Sequence, residues 1–116
     1  MQTAAVKRLP ISSWSMEDRP SDKMIELGTS ALTDAELLSI VIGSGTHKAS
    51  AVDIAKHLLA DHQNNLHELG KAEFNEICET EGIGTSIACR IMAAIELGKR
   101  RQMAQMGDHP DLSTAF

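Results

Sequence analysis

Two glycines flank an isoleucine in Gly82-Ile83-Gly84, between two stretches whose apolar residues recur at helical spacing, and this is where chemistry can be located in the chain. Glycine lets the main chain turn tightly and brings its N–H groups close to a ligand, while Ile83 can pack back between the two helices. Ala88 is small where those helices would cross. The helix that follows Gly84 would point unpaired N–H groups and its positive dipole end outward, a site suited to one anion. The pattern is that of a helix-hairpin-helix unit, and the expected ligand is the DNA backbone, held through phosphate without reading base sequence. The residues assigned to the contact are Gly82, Ile83, Gly84, Thr85 and Ser86, with Arg90 the nearest cation on the following helix.

A looser version of the same arrangement occurs at Gly43-Ser44-Gly45, again between apolar helical stretches. Gly43, Gly45 and Lys48 are therefore a second set of candidate backbone contacts. The middle residue here is Ser44 and not an aliphatic anchor, so the alternative is a glycine-bearing turn between core helices.

Charge sets limits on both sites. The chain carries a formal charge of −5, and residues 66–98 hold two positive against six negative side chains. Affinity for nucleic acid comes largely from lysine and arginine neutralising phosphates, so a broad basic footprint is excluded and any contact must be local. Glu76, Glu79 and Glu81 stand beside the hairpin and repel a phosphate, with Arg90, Lys99, Arg100 and Arg101 as possible compensation. A competing reading follows, in which the domain binds or positions protein and not DNA.

Catalysis and metal binding find no support. The histidines at 47, 57, 62, 67 and 109 are scattered, and His57 and His62 do not share a helical face as an i, i+4 pair would. Cys78 and Cys89 form no CxxC pair and read as small hydrophobes on apolar faces. No nucleophile, base and orienting group can be assembled. The expectation is a non-enzymatic chain with no cofactor and no metal. No apolar run approaches the roughly 20 residues of a membrane span, and no secretory h-region is present, so a cytoplasmic protein without a membrane partner is expected.

The elements that must position these residues are helices, since Ala, Leu, Ile and Met dominate and only Trp14, Phe74 and Phe116 are aromatic. The expected fold is all-α, about five helices with one clear and one degenerate helix-hairpin-helix unit, an orthogonal bundle of the SAM/HhH-like kind. Residues 1–19 form an arm docked on the core through Ile11 and Trp14. A first short helix runs from Pro20 to Gly28, with Met24, Ile25 and Leu27 supplying its apolar contacts. Thr33-Asp34-Ala35-Glu36 has the form of a capping box and starts a second helix, although the run Leu37, Leu38, Ile40, Val41, Ile42 also suits a buried strand. Ser50 caps a third helix with Ala51, Ile54, Ala55, Leu58, Leu59 and His62 on one stripe. A brief turn at 66–69, a fourth helix near 72–79 and a last helix over 85–106 complete the domain, with Ile87, Ile91, Ile95 and Gly98 on one seam. Residues 107–116 read as a linker.

Several of these stretches together resemble one family. Ile11-x-x-Trp14-x-x-Glu17-Asp18-Arg19-Pro20, Lys23, Gly28, Leu32-Thr33-Asp34-Ala35-Glu36-Leu37-Leu38, Gly43-x-Gly45-Thr46, Gly82-Ile83-Gly84 and Glu96-Leu97-Gly98-Lys99-Arg100 are similar, in order and spacing, to the N-terminal region of RadC-like bacterial proteins. The resemblance covers nearly the whole chain. It implies a link to DNA repair, DNA-binding hairpins carried here by Gly82, Ile83, Gly84 and Ala88, and a following JAB/MPN domain of metallopeptidase type that this chain does not contain. That domain is thereby an expected partner in the same protein. Where the family often has proline and a lysine after the second glycine, this chain has Thr85 and no lysine before Lys99.

Overall fold

Thr33 and Ser50 each close a helix N-terminus with their own side chains. Thr33 Oγ1 accepts the N–H of Glu36 at 3.1 Å while the Glu36 carboxylate accepts the N–H of Thr33 at 2.9 Å. Ser50 and Asp53 make the same reciprocal pair at 3.1 and 3.5 Å. Both satisfy donors that a helix start would otherwise leave orphaned. With this cap in place, the ambiguous run after Thr33 is helical over Asp34–Ile42.

The computed structural model describes residues 18–105. Their elements are helix α1 (Asp18–Leu27), a 3-10 turn (Thr29–Ala31), α2 (Asp34–Ile42), α3 (Ala51–Asp61), α4 (Leu66–Gly70), α5 (Phe74–Cys78) and α6 (Thr85–Gln105). Among the described residues the architecture is all-helical, as expected. Of the expected arm over 1–19, residues 1–17 with Ile11 and Trp14 lie outside the described residues, as does the linker over 107–116, while Asp18 and Arg19 open α1.

Helix α3 supplies the most side chains to the core and packs chiefly on α2. Its Ala51, Ile54, Ala55, Leu58 and Leu59 share one buried cluster with Leu38 and Ile42 of α2, Leu69 of α4, Ile77 of α5 and Ala88 and Ile91 of α6. Each fully buried Leu or Ile contributes about 1.5–3 kcal/mol relative to an exposed one, so this shared cluster holds the elements in place. The two buried polar residues are satisfied. Ser39 donates its hydroxyl to the carbonyl of Glu36 at 2.6 Å, and Thr80 donates its hydroxyl to Asp61 Oδ2 at 2.8 Å.

Three expectations about faces are corrected. Ile25 and Leu27 of α1 are 84% and 64% exposed and add nothing to the core, whereas Pro20 is fully buried. Helix α1 is tied to α2 by Lys23, whose Nζ lies 3.1 Å from Glu36 Oε1. Cys89 is exposed, and only Cys78 packs against the core. The seam of α6 ends at Ile95, because Gly98 has open space around it.

Glu36 therefore serves two partners, and its carboxyl is held below the ordinary value, first by the Thr33 N–H and then by Lys23. A carboxylate whose pKa is depressed on folding contributes stability above its unfolded pKa and loses it as pH falls through the folded value. Stability is expected to decline as pH drops below the usual glutamate range near 4.5. Thermal melts of wild type and Glu36→Gln should converge at acid pH and separate at neutral pH; parallel curves throughout would contradict this.

Candidate nucleic-acid interface

The α5–α6 turn is built on a glycine that has no substitute. Gly82 has φ of 96°, a region that side chains rarely adopt, and a Cβ there would stand 2.8 Å from Ile54 Cδ1. Ile83 then drops into the core at 5% exposure, and its N–H donates to the Thr80 carbonyl at 3.1 Å. Thr80, fixed by Asp61 at the end of α3, holds the turn from below. The sequence expectation that Ile83 anchors the hairpin agrees with this placement.

Gly84 differs from Gly82 in every respect. It is exposed, its φ is not positive, and nothing lies within 4 Å of where its Cβ would be. Its carbonyl accepts the N–H of Ala88 at 2.9 Å, the first bond of α6, which makes Gly84 the N-cap. Thr85 and Ser86 are exposed beside it. Among the described residues the N–H groups at 84–87 have no main-chain acceptor outside the helix and no side-chain cap, and the first turn of α6 holds no acidic residue. Helices α2 to α5, in contrast, each carry an acidic residue in the first turn; α2, α3 and α4 are capped by the side chains of Thr33, Ser50 and Asn65, and at α5 the Glu76 carboxylate accepts the Glu73 N–H at 2.7 Å.

The loop of the second glycine pair is closed on itself. Gly43 ends α2 with φ of 93°. A Cβ on Gly45 would collide with the Ala49 carbonyl oxygen, so the chain doubles back there. Thr46 Oγ1 accepts the N–H groups of Lys48 and Ala49 at 3.1 and 3.2 Å, and Ser50 with Asp53 caps α3. Lys48 Nζ reaches across to Glu81 at 3.5 Å, with both side chains largely exposed. This contact brings the two glycine turns side by side and pairs the loop's lysine with a carboxylate.

Arg90 has a role that sequence reasoning missed. Its Nε donates to the Val41 carbonyl at 3.1 Å and its Nη2 to the Ile42 carbonyl at 2.6 Å. It therefore caps the C-terminus of α2 and ties that helix to α6. The signal was available: α2 has no basic residue in its last turn to meet its terminal carbonyls. Hydrogen bonds from a charged donor are worth about 1.5–3 kcal/mol, so Arg90→Ala should lower unfolding free energy by about 2 kcal/mol in urea titrations. Arg90→Lys should recover little of it, because a point charge cannot span both carbonyls; near-full recovery would contradict the fork.

The remaining cations proposed from the sequence are distant. Lys99, Arg100 and Arg101 are exposed on α6, and Lys99 lies about 22 Å along the axis from Gly84. Arg100 pairs with Glu96 at 3.1 Å. Among the described residues no group of three or more His, Cys, Asp or Glu is arranged to hold a metal, and no helix is long and apolar enough to cross a membrane.

The class these features define is an all-α domain with two glycine-containing interhelical turns beside one shared apolar core. The chain belongs to the UPF0758 family, whose N-terminal family model matches residues 11–89. This is the RadC family that the sequence motifs resemble. Similar relatives are UPF0758 proteins of Trichlorobacter lovleyi, 41% identical over 83% of this chain and 43% of the relative, and of Porphyromonas gingivalis, 43% identical over 77% and 40%. A third, from Syntrophomonas wolfei, is 45% identical over 71% of this chain and 35% of the relative. The chain thus spans less than half the length of the curated relatives it matches. No solved structure matches it.

Proposed function

We propose that this domain is a non-catalytic module that holds the DNA backbone weakly and without sequence preference, through the N-terminus of α6. The observation that carries the reading is the open set of N–H groups at 84–87, at the start of a helix with no acidic residue in its first turn, where α2, α3 and α4 are capped by side chains. Gly84 supports it further, since nothing within the chain requires glycine there and a close approach from outside would. The ligand is a phosphate group, placed on the dipole end of the helix.

The contact is modest in strength. A helix terminus contributes about 0.3–1 kcal/mol toward a nearby anion at an exposed site, and Glu79 and Glu81 oppose it. Arg90 and Lys48, with Gly43 and Gly45, serve the fold and are left out of the proposed contact. Anisotropy titrations against labelled duplex and branched DNA at low and moderate salt test the reading. Binding that weakens as salt rises is expected. Thr85→Lys, which supplies a cation at the turn, should tighten binding and steepen the dependence of log K on log salt by about 0.9. No binding at low salt by either protein would refute it.

The second reading, a module that positions another domain or protein, is favoured by the acidic surroundings of the hairpin and by the apolar residues left open on α6, Leu97 at 68% and Met103 at 40% exposure. Its distinguishing result is a defined protein partner retained after nuclease treatment, with no DNA binding by the chain itself. Under either reading the part of the protein beyond this chain, of JAB/MPN type by the family resemblance, would perform the chemistry.

A further inference from the structure

An apolar groove of about 290 Å³ runs between α2, α4 and α6, walled by Leu37, Val41, Leu66, Ala94 and Ile95. Asp34 is the one charged residue on its rim. Leu37 and Leu66 are 37% and 50% exposed there, so large aliphatic surface is left uncovered by the described residues. We infer that the groove is the seat of the chain's own N-terminal arm, with the Trp14 indole as the inserted group and Ile11 beside it.

Three observations select this occupant. The first is reach. Trp14 precedes the fully buried Pro20 by six residues, which span at most about 20 Å when extended. Helix α1 is joined to α2 at Lys23 and Glu36, and Glu36 is the neighbour of Leu37 in the groove wall. The second is chemistry. Residues 11–16 carry no charge and include an isoleucine, a tryptophan and a methionine, whereas the segment after α6 carries Asp108, His109 and Asp111. An uncharged arm suits a groove with a single charged rim residue, because burying a charge there would leave it unpaired. The third is extent. The family domain begins at residue 11, so the arm belongs to the same unit as the helices that form the groove. An aromatic side chain buries 150–250 Å² when it packs, enough to cover the exposed parts of Leu37 and Leu66 together.

Trp14 is the only tryptophan and there is no tyrosine, so the emission of the intact chain reports this residue alone. The emission should lie to the blue of the urea-unfolded chain, with acrylamide quenching several-fold weaker. Leu37→Asp and, separately, Leu66→Asp should move the emission to the red and restore strong quenching while far-ultraviolet circular dichroism keeps its helical signal. Ile25→Asp, on the exposed face of α1 away from the groove, should change neither reading. The inference is overturned if wild-type Trp14 quenches as readily as in urea, or if it is protected and both groove variants leave it so. Protection that vanishes on dilution would also overturn it, since a second copy would then supply the cover.

Discussion

Gly82→Ala is expected to lower the unfolding free energy by about 3 kcal/mol. Two costs combine: a side chain at φ of 96° is strained by about 1–2 kcal/mol, and the new methyl stands 2.8 Å from Ile54 Cδ1 in a packed core, where overpacking costs about 1–3 kcal/mol. That is a large share of the 5–15 kcal/mol typical of a whole domain. Ile54→Val in the same chain should return part of the loss, so the pair will be non-additive in a double-mutant cycle. Gly84→Ala, two residues on, should change stability by no more than about 0.5 kcal/mol, because its Cβ meets nothing and its φ is unconstrained. Equal losses at both positions in urea titrations would mean that the turn is not arranged as described.

Gly84→Asp is expected to abolish DNA binding without unfolding the protein. Aspartate is a favoured N-cap, and its charge at the dipole end of α6 should raise stability by about 0.5 kcal/mol. The same carboxylate would occupy the place of the phosphate and satisfy the N–H groups that should bind it. Loss of binding together with an unchanged or higher melting temperature is a combination that misfolding cannot produce. Retained binding would move the contact away from this helix end.

Much of the fold was legible because its determinants are local. The capping box at Thr33 and Glu36 and the cap at Ser50 are signals within four residues, and they fixed the starts of α2 and α3. Ile83 was legible as an anchor because the glycines on either side leave it the sole side chain able to enter the core. What failed was long-range. Periodicity assigns a residue to a face but says nothing of what sits opposite, so Ile25 and Leu27 were expected inside and are exposed. Arg90 reaches carbonyls nearly 50 residues away in sequence, and a basic residue near a proposed phosphate site reads as a ligand until the fold supplies its acceptors. The partner of Lys48 was hidden for the same reason, since Glu81 belongs to the other turn.

The candidate site divides along the same line. The open N-terminus of α6 was legible in residues 82–86, where no aspartate, asparagine or glutamate is placed to cap the helix from within its first turn. The closure of the Gly43 and Gly45 loop was not, because Thr46 folds back on the Lys48 and Ala49 N–H groups through a geometry that composition does not reveal.

The most direct test follows individual main-chain amides. In two-dimensional proton–nitrogen correlation spectra of the labelled chain, titration with a short duplex at low salt should shift the amide signals of residues 84–87 first and furthest. Those of residues 46–49 should stay in place, and added salt should reverse the change. Saturating duplex that leaves 84–87 unmoved, or that shifts only the signals around Lys99, Arg100 and Arg101, would contradict the assignment of the α6 N-terminus as the phosphate contact.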